Sequence, residues 1–104
     1  MTRDEVWWAR MPLPIGRRPV VLVSRDAAYS VKTKITVAEV STTVRGIPSE
    51  VPLGVADGLP RRCAANADNL VTISKARLEA QIARLRPDKL AALDEALRFS
   101  LGLG

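Results

Sequence analysis

The sequence predicts a mainly β fold, a compact antiparallel barrel of short strands packed against one C-terminal helix. Three observations indicate this class. Short runs rich in β-branched and aromatic residues recur throughout residues 1–73. Prolines and glycines interrupt the same stretch at close intervals, which argues against long helices there. Apolar residues at clear helical spacing occur only after Pro87.

The first half of the chain alternates predicted strands with polar loops. The continuous apolar run 20–23 is typical of a strand buried on both faces, and the proline within 50–53 indicates a sheet edge. Strands are predicted over residues 4–11, 20–23, 35–40 and 50–53, with loops at 11–16 and 26–34 and turns at 45–48 and 57–60.

The second half changes in character after a fifth strand, predicted over 62–73 with a polar break at 66–69. Residues 74–78 are predicted as one capped helical turn, and 79–85 as a strand or a helix. Residues 87–103 are predicted as a helix, because proline suits a first helical turn and two glycines close the segment. Its leucines share one face and are expected to pack in the core: Leu90, Leu93, Leu97 and Leu101.

Length and composition limit what the chain can do. Its 104 residues suffice for a single domain spanning 1–104. No window predicts a membrane span, and the charged N-terminal residues predict no signal peptide, so a cytoplasmic protein is expected. The absence of histidine excludes a histidine-dependent nuclease and a histidine–cysteine zinc site. The single cysteine, Cys63, is interpreted as a small strand residue, and no metal or cofactor is expected.

The charge is uneven along the chain. The net charge is +5 overall. Residues 1–64 carry ten basic and six acidic side chains, a net charge of +4, whereas residues 65–104 carry six and five, a net charge of +1. A polyanionic partner is therefore expected to meet the first two-thirds of the chain.

Two strand ends concentrate polar side chains. Arg17 and Arg18 precede Pro19 and the most apolar strand, where a guanidinium is well placed to bind a phosphate through paired hydrogen bonds. Ser41 and Thr42, followed by a further threonine, close the third strand, where a hydroxyl can contact a phosphoryl oxygen. Each pattern alone also has a non-functional explanation. The arginines fit solvated loop residues, and the hydroxyls fit an ordinary β-rich strand end.

Taken together and in this order, these segments resemble the MazF/PemK/Kid family of toxin endoribonucleases. The resemblance covers nearly the whole chain, and segment 17–26, RRPVVLVSRD, carries it most specifically. Four further stretches contribute: DEVWW at 4–8, VSTT at 40–43, DNLVTISKARL at 68–78, and the ending made of IARL at 82–85 and LDEALRFSLGL at 93–103.

The family resemblance implies a fold and an activity. The implied fold is an SH3-like or plasmid-maintenance-toxin barrel, of the kind that MazF and CcdB share, assembled as a homodimer. The implied activity is metal-independent, sequence-selective cleavage of single-stranded RNA that leaves a 2′,3′-cyclic phosphate and a 5′-hydroxyl. The implied partner is a labile, MazE-like antitoxin encoded as a separate chain, and the implied cell is bacterial.

The resemblance also assigns residues. The catalytic arginine of the family falls on Arg18, directly before Pro19, and its catalytic hydroxyl falls on Ser41, with Thr42 as the alternative one residue on. Serine departs from the usual threonine but keeps the hydroxyl. Many relatives carry a glutamate in the loop before the arginine, whereas loop 11–16 here has none. Arginine is almost always protonated, so the identity of the general base stays open.

RNA contacts are expected from the loops around this pair. Candidates for phosphate contacts are Arg17, Arg25, Lys32, Lys34 and Arg45. Asn69 is a candidate for a base edge, with a turn residue as the alternative. Trp7 or Trp8 can stack on a base, although aromatic residues in such a strand more often belong to the core.

Two other functions remain open at this point. Toxins that share this barrel can act by binding a protein such as gyrase, without cutting RNA. A barrel that binds RNA but leaves it intact is the other alternative. Arg18 together with Ser41 favours the nuclease, because a toxin that only grips a protein does not need them.

Overall fold

The computed structural model describes residues 1–104 and consists of one six-stranded antiparallel sheet with a C-terminal helix. The strands lie in the order β4-β5-β3-β2-β1-β6. The elements in chain order are β1 Glu5–Arg10, β2 Arg17–Leu22, α1 Ala28–Val31, β3 Lys34–Ser41, β4 Glu50–Leu53, β5 Cys63–Ser74, β6 Leu78–Arg84 and α2 Pro87–Leu101. Short 3-10 turns occupy Val55–Asp57 and Lys75–Arg77. The predicted mainly β class with one terminal helix is confirmed.

The sheet curls until its two edges meet. The turn after edge strand β4 contains Gly58, whose φ is +92°, and a Cβ placed there would lie 2.9 Å from the Cβ of Ala83 on the opposite edge strand β6. Leu53 of β4 and Leu85, which follows β6, belong to the same buried cluster. Contact between the ends of the sheet therefore gives it the shape of a small barrel.

Two buried clusters cover the two faces of the sheet. The first lies under α2 and includes Val6, Val21 and Val40. The second lies on the other face and includes Val20, Leu22 and Tyr29. Because consecutive residues of β2 point to opposite clusters, the apolar run at 20–22 is buried on both faces, as its sequence predicts. Cys63 is a free, buried thiol in the first cluster, and burial raises its pKa.

Several predicted boundaries are corrected. Strand β1 covers 5–10 rather than 4–11, and β2 begins at residue 17 rather than 20 because it pairs with β1 from that residue on. The loop predicted at 26–34 contains α1. Residues 78–84 form a strand, and they pair with β1. The turn at 74–78 is a 3-10 turn, and the Ser74 hydroxyl accepts a hydrogen bond from the amide of Ala76.

Strand β5 runs continuously through the predicted break. Its pairing with β3 shifts between Ala38, opposite Leu70, and Glu39, opposite Asn66. Three residues of β5 therefore lie opposite no residue of β3, which is a bulge. The polar residues at 66–69 mark an irregular pairing within one strand rather than its end.

Helix α2 ends at Leu101, two residues earlier than predicted, and Gly102 follows it with φ +70°. Only part of the leucine stripe is core. Leu93 is fully buried and Leu90 and Leu97 are partly buried, but Leu101 is 56% exposed. The last turn still meets β5, where the Ser100 hydroxyl lies 2.9 Å from the carbonyl oxygen of Ala67, but the Leu101 side chain faces the groove beside α1. Neither helix is long and apolar enough to span a membrane.

Candidate catalytic site

Arg18 and Ser41 lie at the same level on neighbouring strands. Val20 of β2 pairs with Glu39 of β3, and the same antiparallel register places Arg18 opposite Ser41. The ladder between these strands stops at Val20, because Pro19 has no amide hydrogen to donate. Beyond this point β2 and β3 no longer pair with each other, although Arg18 still pairs with Ala9 of β1 and Ser41 with Ala64 of β5.

The Arg18 guanidinium makes no hydrogen bond or ion pair within the chain, and the residue is partly exposed. The Ser41 hydroxyl accepts a hydrogen bond from the Thr43 amide at 3.1 Å. An oxygen that accepts in this way still has its own proton to donate. One unpaired cation and one available hydroxyl donor thus lie side by side, and both can bind an anionic oxygen.

Thr42 is exposed and follows the end of β3. Both Ser41 and Thr42 line a pocket of about 310 Å³ beside the strand ends, together with Trp8 and Pro19. The opposite wall of this pocket comes from the segment before β5, in particular Pro60 and Arg61, which the sequence analysis did not single out. A proline next to two arginines, as in Pro60-Arg61-Arg62 and in the reverse order in Arg17-Arg18-Pro19, was the only available signal.

Arg17 is close to this pocket but is already bound within the chain. Its guanidinium carbon lies 4.1 Å from the centroid of the Trp8 ring. Its Nε donates to Glu79 at 2.9 Å, and Arg10 donates to the same carboxylate at 3.0 Å. These hydrogen bonds from Arg17 and Arg10 lower the pKa of Glu79. Arg17 can meet a phosphate only in competition with Glu79.

The two tryptophans of β1 have different surroundings. Trp7 packs against the second buried cluster and its indole nitrogen donates to Glu5 at 2.8 Å. Trp8 lines the pocket beside Ser41 with Arg17 stacked on its ring. Core packing is therefore the appropriate interpretation for Trp7, whereas Trp8 lines the pocket beside Ser41, a pocket that Arg18 does not line.

Arg45 lies in the loop after β3 and is exposed. Its Nη1 is 3.8 Å from a carboxylate oxygen of Glu50, and that buried carboxylate also accepts hydrogen bonds from the amides of Arg45 and Gly46 at 2.8 and 3.0 Å. The carboxylate thus fixes the loop backbone next to the site. The Arg45 guanidinium reaches solvent and can still contact a polyanion.

The remaining predicted cations lie elsewhere. Arg25, Lys32 and Lys34 line a different groove, between α1 and the end of α2. Lys34 begins β3 and Ser41 ends it, so the two are roughly 23 Å apart at about 3.3 Å per residue. Asn69 is exposed on the β5 bulge. A single chain therefore brings Arg17 and Arg45 near Arg18 and Ser41, but not these three cations.

Glu39 is the site residue that the sequence analysis missed. It precedes Ser41 by two residues on β3, so both side chains emerge on the same face of the sheet. The period-two alternation of the third strand was the signal that could have identified it. No group of three or more cysteine or acidic side chains is arranged to hold a metal ion.

A small barrel that carries an unpaired cation and a hydroxyl donor at the same level of two neighbouring strands belongs to the class of proteins equipped to bind an anionic group. Residues 2–101 match the family described as PemK-like, MazF-like toxin of type II toxin–antitoxin system. The chain belongs to this family. The resemblance stated from the sequence is thereby confirmed.

Curated relatives support the same assignment. The probable endoribonuclease MazF5 of Mycobacterium tuberculosis is 43% identical over 100 residues, which cover 95% of this chain and 91% of that protein. The endoribonuclease MazF9 of the same organism is 34% identical, with 99% and 98% covered. The predicted enzyme class, an endoribonuclease toxin, agrees with these names, and neither name points to a gyrase-binding toxin.

Solved structures agree on the fold. The Mycobacterium tuberculosis toxin MazF-mt6 superposes with a TM-score of 0.88 at 32% identity, with 96% of this chain and 98% of that chain covered. A mycobacterial endoribonuclease in complex with its cognate antitoxin superposes with a TM-score of 0.89 at 29% identity, with 100% and 97% covered. The predicted MazF-like barrel is confirmed.

Proposed function

We propose that this chain is the toxin of a type II toxin–antitoxin pair and cleaves single-stranded RNA without a metal ion, leaving a 2′,3′-cyclic phosphate and a 5′-hydroxyl. One observation carries the proposal. In a chain of this family, Arg18 has no ionic partner and lies level with the Ser41 hydroxyl on the neighbouring strand.

The proposed roles follow from the chemistry of the reaction. When the 2′-hydroxyl of RNA attacks the adjacent phosphorus, negative charge builds up on the non-bridging oxygens. Arg18 neutralises this charge with paired donors, and Ser41 donates a hydrogen bond to one of the same oxygens. Thr42 is the substitute donor one residue on. Arg17, Arg45 and Asn69 are proposed to position the strand on either side.

The test is cleavage of a single-stranded RNA by the purified chain in excess EDTA. We expect wild-type protein to cleave, and Arg18→Ala to lose about 10²–10³-fold in rate because one transition-state donor is removed. Arg98→Ala is the matched control, since Arg98 lies on the exposed surface of α2. Equal rates for wild type and Arg18→Ala would contradict the assignment. RNA that is bound but stays intact would instead support the alternative of an RNA-binding barrel without nuclease activity.

We also propose a homodimer in the bacterial cytoplasm, held inactive by a MazE-like antitoxin. Leu101 and Val31 are strongly exposed and line the groove between α1 and α2, and exposed apolar side chains of this kind are typical of an interface. Pairing of two chains would also place Arg25, Lys32 and Lys34 along a longer RNA path. The mycobacterial neighbour solved with its cognate antitoxin supports an antitoxin partner here.

A further inference from the structure

Glu39 carries a polar atom that the fold leaves unsatisfied. Its Oε1 is shielded from solvent and has no hydrogen-bond partner, the only side-chain oxygen or nitrogen in this condition. A buried acceptor without a partner destabilises the folded state by about 1–3 kcal/mol. A catalytic role is one of the recognised reasons for a native protein to keep such an atom.

The position of Glu39 connects it to the catalytic pair. Glu39 lies opposite Val20, two residues from Ser41 along β3 and diagonal to Arg18 across the β2–β3 pair. All three side chains emerge on the same face of the sheet, because residues two apart on a strand share a face. Diagonal neighbours of this kind lie about 7–8 Å apart, within reach of long side chains.

Other glutamates around the site are neutralised by partners, and Glu39 is not. The carboxylate of Glu50 accepts two backbone amides, and that of Glu79 accepts two guanidinium groups. No nitrogen of Arg18 lies within 4.0 Å of a Glu39 oxygen. Arg18 and Glu39 thus share a face of the sheet without an ion pair between them, so the cation of the site does not neutralise this carboxylate.

We propose that Glu39 is the proton acceptor for the 2′-hydroxyl, an inference that rests on the proposed RNA cleavage. The Glu39 carboxylate takes the 2′-hydroxyl proton as the 2′-oxygen bonds to phosphorus. The bond from phosphorus to the 5′-oxygen breaks, and that oxygen takes a proton from water. Glu39 then returns its proton to the resulting hydroxide. The carboxylate supplies the base that loop 11–16 lacks.

The experiment compares wild type, Glu39→Gln, Glu39→Ala and Glu95→Gln in the EDTA assay. Glu95 is the control, because it is exposed on α2 and pairs only with Arg98. We expect both Glu39 variants to lose at least about 10²-fold in cleavage rate. Their affinity for an RNA with a 2′-deoxy sugar at the scissile position should be unchanged. Sodium formate should restore cleavage by Glu39→Ala but not by Arg18→Ala, since formate supplies only a carboxylate.

The melting temperature separates catalysis from structure. Because the buried oxygen has no partner, Glu39→Gln should melt at or above the wild-type temperature while losing activity. Wild-type cleavage rates in both Glu39 variants, or a lost rate that formate does not restore in folded Glu39→Ala, would overturn the role of Glu39 alone. A wild-type chain that leaves RNA intact in EDTA would overturn the proposed function and this inference together.

Discussion

The guanidinium of Arg17 is stacked on the Trp8 ring at 4.1 Å and is held from the side by Glu79 at 2.9 Å. Arg17 and Glu79 come from strands β2 and β6, which lie on either side of β1 in the sheet. The Trp8 ring and the Arg17 charge next to the candidate site are therefore both occupied by partners within the chain before RNA arrives. By holding Arg17 on the Trp8 ring, Glu79 limits how readily either side chain can contact RNA.

We expect Glu79→Gln to strengthen RNA binding several-fold. The substitution removes a competing negative charge and releases the guanidinium groups of Arg17 and Arg10 for phosphate contacts. The measurement is fluorescence anisotropy with an uncleavable RNA at two salt concentrations, and Glu95→Gln provides the control. Unchanged affinity at low salt would mean that neither arginine meets the RNA.

The same carboxylate gives a pH dependence with a defined sign. Hydrogen bonds from Arg17 and Arg10 hold the pKa of Glu79 below its ordinary value of 4.5. A depressed pKa stabilises the fold above the unfolded-state value, and that contribution is lost as pH falls through the folded-state value. The melting temperatures of wild type and Glu79→Gln should therefore converge below pH 4.5. Because the pair is exposed, the difference above that pH should be small.

Substitutions at the end of β3 should separate the two hydroxyl candidates. We expect Ser41→Ala to lose about 10²–10³-fold in cleavage rate, since a transition-state donor is removed. Ser41→Thr should retain most of the activity because it keeps the hydroxyl. Thr42→Ala serves as the neighbouring control and should have a minor effect. A large loss in Thr42→Ala with none in Ser41→Ala would move the role by one residue.

Closure of the barrel should be sensitive to Gly58. A side chain there would meet the Cβ of Ala83 at 2.9 Å and would have to adopt φ +92°. We expect Gly58→Ala to reduce the free energy of unfolding by about 1–3 kcal/mol, because both overpacking and backbone strain are introduced. Gly54→Ala is the control, since its φ of −167° suits any residue and no atom lies within 4 Å. Urea denaturation measures both.

The proposed homodimer can be tested on α2. We expect Leu101→Lys to shift the mass measured by light scattering from dimer to monomer, because a charge would be buried at an apolar contact. Ala92→Lys is the matched control on the same helix. It lies nine residues away, on the opposite side of the helix at about 100° per residue, and is exposed. A dimer that survives Leu101→Lys would place the interface elsewhere.

Antitoxin and RNA are expected to compete. The basic side chains near the site, Arg17, Arg18 and Arg45, suit an acidic antitoxin segment as well as RNA. An uncleavable RNA and the antitoxin peptide should therefore displace each other, and rising salt should weaken capture of the peptide. Simultaneous binding without loss of affinity for either would indicate inhibition from a remote surface.

The sequence by itself determined much of this protein. Local patterns with a short range, such as the apolar run at 20–22 and the proline and glycine that bound α2, predicted where strands and the last helix lie. The Arg-Arg-Pro motif and the hydroxyls at the end of β3 indicated Arg18 and Ser41 as candidates. These properties depend on residues close together along the chain, so the amino-acid sequence is enough to predict them.

Only the tertiary structure decided which of these residues meet. Cross-strand register places Ser41 opposite Arg18 and Glu39 diagonal to it. The curl of the sheet brings Gly58 to Ala83, and strand order brings Glu79 to Arg17. Lys34 lies far from the site because it begins β3, whereas Ser41 ends that strand. Each of these relations joins positions on different strands or at opposite strand ends. A sequence pattern with period two or 3.6 describes which face a side chain takes, but not which strand lies beside it.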